Sequence, residues 1–379
     1  MTTPLNYDLI GQAGSAGRLQ TPALVVDLDR LERNIERMAS FAARNDIRLR
    51  PHAKTHKCSE IAKRQIRHGA IGICCAKLGE AEALGAAGLD NMLLTSPIVG
   101  DGAIARLMAL NERSPGLMVV VDNIENITAL SKAVPAGAGP LDVLLDLDPG
   151  LHRTGMSPDE AAVDTVKRIA DDANLNFRGL QMYAGNLMHI EEYADRRSRS
   201  QDVLAKMQAF RQRLSAEGLD CEILSGGGTG TFDIDPEVRA LTELQVGSYV
   251  FMDGQYRQVE GKDRDGLPFE TSLFVQMSVI SNNTPGVVTT DAGLKSFATD
   301  AGPPILAEGG FPGSKFGFFG DEFGGVQFAD KGEFLALGSP LRAVTPHCDP
   351  TVNLYRHLHV IKGDTLVDIW PIEASGCSA

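Results

Sequence analysis

From Thr21 onward, short apolar runs alternate with stretches in which apolar positions recur every three or four residues. Leu24-Val25-Val26 reads as a strand, and Leu28, Leu31, Ile35 and Met38 then fall on one face of a helix. The same alternation recurs with strands expected near 48–52, 72–76, 92–95, 117–121, 143–147, 179–183, 221–224 and 244–246. Between them lie amphipathic stretches such as 159–170 and 193–217. About eight strand–helix units in roughly 240 residues is the length and count of a (β/α)8 barrel. A doubly wound open sheet would produce much of the same pattern, so the repeat favours the barrel without excluding the alternative.

The texture changes after Asp263. Apolar runs at 274–280, 287–291, 326–328, 341–344, 358–361 and 366–370 are separated by Gly, Pro and Asn turns, with few helix-period stretches between them. This predicts a smaller β domain. The 379 residues therefore divide into an α/β barrel over 20–262 and a C-terminal β domain over 263–379, with residues 1–19 expected to pack against the latter.

Composition narrows the class. Hydrophobic residues make up 43% and charged residues 22%, as in a globular chain able to bury a core. The net charge of -13 argues against nucleic acid or an anionic membrane as partner. No apolar run approaches the ~20 residues of a membrane helix, and residues 1–17 contain no leader-like apolar stretch. The six cysteines form no CxxC pair, which predicts neither a disulfide framework nor a thiolate zinc site and points to the cytoplasm.

Three clusters could carry chemistry. The first is Arg50-Pro51-His52-Ala53-Lys54-Thr55-His56-Lys57, at the end of an early strand, where barrel enzymes place reactive groups. A solvated surface lysine is the ordinary reading. Neighbouring cations and partial burial would instead lower the pKa of Lys54, as imine formation requires, with His52 on the same strand face. Lys57 is the weaker candidate. The second is Ser225-Gly226-Gly227-Gly228-Thr229-Gly230, directly after a strand. Such a turn is either merely flexible or a ring of backbone N–H groups around a phosphate; the GK[ST] ending of a P-loop is absent. The third is His347-Cys348-Asp349. If extended, it places imidazole and carboxylate on one face, suited to Mn²⁺, Zn²⁺ or Mg²⁺, although a simple capping pair would look the same.

Taken together, TPALVVDLDRLERNI, RPHAKTHK, GICCAKLGEAEAL, SGGGTGTF, TELQVGSYVFMD, DAGLKS and PHCDPTVNLY resemble the D-threonine aldolase, 3-hydroxy-D-aspartate aldolase and D-serine dehydratase family over nearly the whole chain. The resemblance implies an alanine-racemase-like pyridoxal 5'-phosphate (PLP) barrel with a C-terminal β domain, usually a homodimer. It makes Lys54 the PLP lysine, and it places Gly227, Gly228 and Thr229 around the cofactor phosphate. Gly247, Ser248 and Tyr249 add contacts, while Arg153 and Tyr183 line the cofactor pocket. Gln245 is placed opposite the pyridine nitrogen, His347 and Asp349 on a divalent metal (Mn²⁺, or Mg²⁺ or Zn²⁺), and His189 beside the substrate hydroxyl, where it or a metal-bound hydroxide would act as base.

The implied reaction is retro-aldol cleavage of a D-3-hydroxy amino acid to glycine and an aldehyde. His-x-Asp at the metal favours this over elimination, since dehydrating relatives tend to carry His-x-Cys. Two positions depart from the family pattern: Phe323 stands where many relatives have His, and Ala184 where a polar side chain is usual. The alternatives are a dehydratase forming a 2-oxo acid and ammonia, a metal-independent racemase, and a non-catalytic PLP carrier. The other histidines are expected to have surface or structural roles, and Glu80 and Glu82 to lie on a solvated helix face.

Overall fold

The computed structural model describes residues 3–379. Two 3-10 turns (Tyr7–Leu9 and Ser15–Arg18) precede β1 (Ala23–Asp27) and α1 (Leu28–Arg44). Asp27 caps this helix by accepting from the Arg30 amide at 3.0 Å, and Leu31, Ile35 and Met38 are buried along it. Eight parallel strands follow: β2 (Arg48–Leu49), β3 (Ile73–Cys75), β4 (Met92–Leu94), β5 (Met118–Val121), β6 (Leu141–Asp146), β7 (Leu175–Met182), β8 (Ile223–Gly226) and β9 (Glu243–Leu244). Helices α2 (Ser59–Arg67), α3 (Leu78–Ala86), α4 (Asp101–Arg113), α5 (Ile124–Ala133), α6 (Glu160–Ala170) and α7 (Tyr193–Ala216) connect β2 through β8.

Neighbouring strands run in the order β2-β9-β8-β7-β6-β5-β4-β3. The ring closes where Ile71 N–H donates to Leu49 (2.9 Å) and Cys74 N–H to Pro51 (2.8 Å). Side-chain alternation explains why these strands read so clearly. Val119 and Val121 pack outward against the helices, whereas Met118 and Val120 join Cys74, Leu93, Leu144 and Ile223 inside the barrel.

The first apolar run lies elsewhere than expected. β1 was assigned to the barrel, but it pairs antiparallel with β10 (Leu273–Thr284) and parallel with β16 (His357–Lys362) in the second sheet. That nine-stranded sheet also contains β11 (Val287–Thr290), β12 (Ile305–Glu308), β13 (Lys315–Phe318), β14 (Gly324–Gln327), β15 (Pro340–Val344) and β17 (Thr365–Pro371). A short helix, α8 (Cys348–Val352), follows β15. Residues 11–16 pack on this sheet: Gly11 N–H donates to Leu366 (2.8 Å) and Ala16 N–H to Asp364 (2.9 Å). α1 thus carries the chain from the second sheet onto the barrel, where Asn34 bonds the carbonyls of Val250 and Glu270. No helix among the described residues is long and apolar enough to cross a membrane.

Candidate active site

The C-terminal ends of the barrel strands surround a cavity of about 190 Å³ lined by His52, Lys54, Thr95, Arg153, Gln181 and Gln245, with Tyr183 alongside. Its floor is a hydrogen-bonded chain of buried polar side chains. Arg50 makes a bidentate pair with Glu243 (2.8 and 3.2 Å), and Ser225 donates to the same carboxylate (2.7 Å). Gln245 Nε2 donates to Ser225 Oγ (2.9 Å) and to Gln181 Oε1 (3.0 Å). Gln181 Nε2 in turn donates to Asp146 (2.9 Å), which also accepts from Thr154 (2.8 Å). Burial pushes Asp146 up to about 6. Each partner fixes the next, so the amide of Gln245 has one orientation.

Lys54 sits in a one-turn 3-10 helix (Ala53–Thr55) capped by His52, instead of on an extended strand. His52 Nδ1 accepts from the Lys54 amide, and Nε2 faces Thr95 Oγ1 at 3.1 Å. Because Thr95 Oγ1 donates to Cys75 O (3.2 Å), it accepts from His52, which makes His52 a neutral Nε2–H tautomer. Burial, together with the Lys54 cation, holds the His52 pKa far below the usual histidine range.

The Lys54 ammonium forms an ion pair with Asp349. The expected lowering of the Lys54 pKa is therefore reversed: burial acts to lower it, but Asp349 outweighs burial and raises it. The same pairing, working against burial, holds the Asp349 carboxyl below the usual carboxylate range. The adjacent cations alone pointed the other way, and the decisive carboxylate arrives from a segment 295 residues away.

The His347 segment is likewise not extended through Asp349. His347 is the N-cap of α8, and Asp349 lies in its first turn, where a carboxylate is favoured and Pro350 is tolerated. His347 Nδ1–H donates to Asp300 Oδ2 (2.6 Å), which leaves Nε2 free to face a cation. Cys348 is fully buried, its amide donating to Asp253 (2.8 Å) and its thiol pKa raised by burial. His189 packs against Tyr256 at 4.5 Å between ring centroids. Its pKa is lowered by desolvation, opposed by Asp253 and Asp349 and reinforced by His347 and Lys54, so it is neutral at neutral pH.

The Gly-rich turn is buried. Gly227 adopts φ +67°, and a Cβ there would lie 2.3 Å from Asp235 Oδ2. Asp235 accepts from Ser200 (2.7 Å) and Thr231 (2.6 Å), and burial pushes it up to about 7. Thr229 Oγ1 accepts from the Tyr249 amide at 3.1 Å. The Tyr249 phenol faces Gln65 (3.0 Å) in the core, so its hydroxyl is not directed at the cavity. Arg153 lies over the Tyr183 ring at 5.5 Å.

Two family models match the chain: "Alanine racemase, N-terminal domain" over residues 26–255 and "Putative serine dehydratase domain" over 272–361. D-threonine aldolase of Arthrobacter sp. is 40% identical over 362 residues, covering 95% of this chain and 94% of that protein. The chain belongs to the family of D-threonine and 3-hydroxy-D-aspartate aldolases. The 3-hydroxy-D-aspartate aldolase of Paracoccus denitrificans (strain Pd 1222) is 35% identical, covering 98% of this chain and 96% of that one. The crystal structure of D-threonine aldolase from Filomicrobium marinum superposes with a TM-score of 0.91 at 36% identity, covering 96% and 97%. D-threo-3-hydroxyaspartate dehydratase from Delftia sp. HT23 follows at 0.82 and 26%, covering 94% and 98%. The chain is accordingly an enzyme of this aldolase-like lyase class with the alanine-racemase-like fold.

The residues fit the cofactor of this family. Among the described residues, the buried amides of Gly228, Thr229 and Ser248 have no hydrogen-bond acceptor within the protein. Buried N–H groups are rarely left so, and three near one turn suit a phosphate. The donor set at the other end, one imidazole and one carboxylate, suits a hard or borderline divalent cation. Among the described residues no three His, Cys, Asp or Glu side chains form a preformed metal cluster, so substrate and water would complete any coordination.

Of the two departures, Ala184 is buried directly after Tyr183, and Phe323 is exposed just before β14 and away from the cavity lining. Thr95, Asp146, Gln181 and Thr154 were not anticipated as site residues. The first three share one signal, a polar residue at or near the C-terminal end of an apolar barrel strand.

Proposed function

We propose that this enzyme is a PLP- and divalent-metal-dependent aldolase that cleaves D-3-hydroxy amino acids, of the D-threonine or 3-hydroxy-D-aspartate type, to glycine and an aldehyde. The observation that carries the reading is the ion pair between Lys54, which lines the barrel cavity, and Asp349 of the β domain. The names of the relatives support the same reaction class.

Bound PLP would supply an electron sink conjugated to the substrate α-carbon, and Mn²⁺, or Mg²⁺ or Zn²⁺, a Lewis acid at the β-hydroxyl. Lys54 supplies the amine that would hold the cofactor. Gly227, Gly228, Thr229, Gly247 and Ser248 would hold its phosphate through backbone N–H groups. Gln245 presents a neutral amide to the ring, and Arg153 and Tyr183 close one side. His347 and Asp349 would hold the metal.

His189, neutral at neutral pH, accepts the proton of the substrate β-hydroxyl. The Cα–Cβ bond then breaks with its electron pair remaining on Cα. The aldehyde leaves, and Cα takes up a proton to give glycine. Tyr249 contributes through its backbone, which ties the Ser248 segment to Thr229. The homodimer implied by the resemblance is checked by sedimentation.

The test is a panel of D-threonine, D-3-hydroxyaspartate, D-phenylserine and D-serine, each with EDTA or added Mn²⁺. Glycine plus the matching aldehyde, lost in EDTA and restored by Mn²⁺, is the expected result. A 2-oxo acid plus ammonia would replace cleavage with elimination, and turnover unaffected by EDTA would remove the metal from the reaction.

A further inference from the structure

The segment after β17 crosses from the β domain to the barrel at the site. Glu373 caps α2 from afar: its Oε2 accepts from the Ser59 amide (3.0 Å) and its Oε1 from the Ser59 hydroxyl (2.6 Å). Cys58, the N-cap residue itself, makes no side-chain cap, so the helix N-terminus depends on this carboxylate. Ala374 N–H donates to Lys57 O (3.1 Å), and Lys57 Nζ reaches back to Ala374 O (3.5 Å). Lys57 is a non-glycine residue at φ +51°, a conformation that needs such external support.

Lys57 was the lesser lysine in sequence terms, and Glu80 was expected on a solvated face. Both are buried and paired at 2.7 Å. The other Glu80 oxygen accepts from the amides of Ala76 (2.8 Å) and Lys77 (3.3 Å), so the pair joins the loops after β2 and β3. Ala374 is fully buried in the apolar cluster that also contains Ala53, the neighbour of Lys54.

On the other side the segment grips the end of α8. Gly376 N–H donates to Asn353 Oδ1 (2.9 Å), and Ser375 Oγ to Asn353 O (3.2 Å). Farther along, Gly79 N–H donates to Ala379 O (2.8 Å), and a Cβ on Gly79 would lie 2.7 Å from that oxygen. The anchors therefore lie three residues after Lys54 and one helical turn after Asp349.

We propose that residues 372–379 are a strap that sets the Lys54 loop against the helix bearing Asp349, with Glu373 and Asn353 as positioning residues. Neither lines the cavity, and each acts through the backbone that carries a reacting group. The inference rests on the reading of Lys54 and Asp349 given above, but its physical content is independent of turnover.

Hydrogen–deuterium exchange on the substrate-free protein tests it directly. Glu373→Ala is expected to speed exchange at residues 59–62, and Asn353→Ala at 349–353, each about tenfold or more, while 118–121 in the barrel is unchanged. In steady state both variants are expected to lose kcat about tenfold to a hundredfold, the scale of an ångström-level misplacement, with KM shifted less than kcat. Exchange rising uniformly across the barrel, in step with a lower melting temperature, would make the segment an ordinary stabiliser and overturn the proposal. Wild-type kcat and local exchange in Asn353→Ala, the milder change, would overturn it equally. Failure of the lyase reading would appear instead as a substrate panel without glycine, leaving the exchange pattern as predicted.

Discussion

The two ends of the proposed site are built in opposite ways. At the proposed phosphate end, the buried amides of Gly228, Thr229 and Ser248 have no acceptor among the described residues, over a turn supported from beneath by Asp235, Ser200 and Thr231. At the proposed cation end one donor, Asp349, is already engaged by Lys54, whereas Asp300 holds only the far nitrogen of His347. The first end is preorganised and needs only its ligand. The second must exchange the Lys54 ammonium for a metal ion, so it becomes ready only when Lys54 is otherwise occupied. Among the described residues Lys54 alone couples the two ends.

The largest expected effect comes from removing that residue. Lys54→Ala should lose cleavage activity by about 10³-fold or more and abolish the visible band of the lysine-bound cofactor. His347→Ala should separate the ends: activity falls about a hundredfold or more with loss of the Lewis acid, while cofactor affinity in EDTA stays within about twofold. A parallel loss of cofactor affinity would break the comparison.

Asp300→Ala leaves both proposed metal donors in place but frees the His347 ring. Mn²⁺ affinity measured by calorimetry should fall about 10–100-fold, as for other carboxylates that orient a metal-binding histidine. An unchanged affinity would mean that the 2.6 Å contact orients nothing of consequence.

The smallest effect concerns stability at the phosphate end. Asp235 moves from an ordinary 3.8 to about 7 through burial. Between these values the native state binds more protons than the unfolded chain, so stability falls as pH rises. Asp235→Asn has no proton to release and should flatten the denaturation midpoint between about pH 4 and 7, while Asp146, raised to about 6, keeps a shallower slope. A variant curve parallel to wild type would exclude Asp235 as the source.

Which parts of this were legible follows from where the partners lie. The barrel strands could be read because their alternation is local: Val119 and Val121 outward, Met118 and Val120 inward. Leu24-Val25-Val26 carries the same signal yet belongs to the other sheet, since an apolar triplet does not state which sheet it pairs with. β12 and β13 escaped notice because they are short and half-exposed, the latter with glycine in its centre.

The candidate residues were visible as motifs, but their electrostatics were not. Reversal of the Lys54 shift comes from Asp349, burial of Glu80 from Lys57, and the helical setting of Asp349 from a turn that starts at His347. The first two are long-range pairings. Residue order alone records neither.

The most direct test is a calorimetric Mn²⁺ titration of cofactor-free enzyme, comparing wild type with Lys54→Ala. With the ammonium removed, Asp349 is released to the metal, and the variant should bind Mn²⁺ more tightly than wild type while losing all cleavage activity. Equal or weaker Mn²⁺ binding by the variant would show that Lys54 and Asp349 do not share one site.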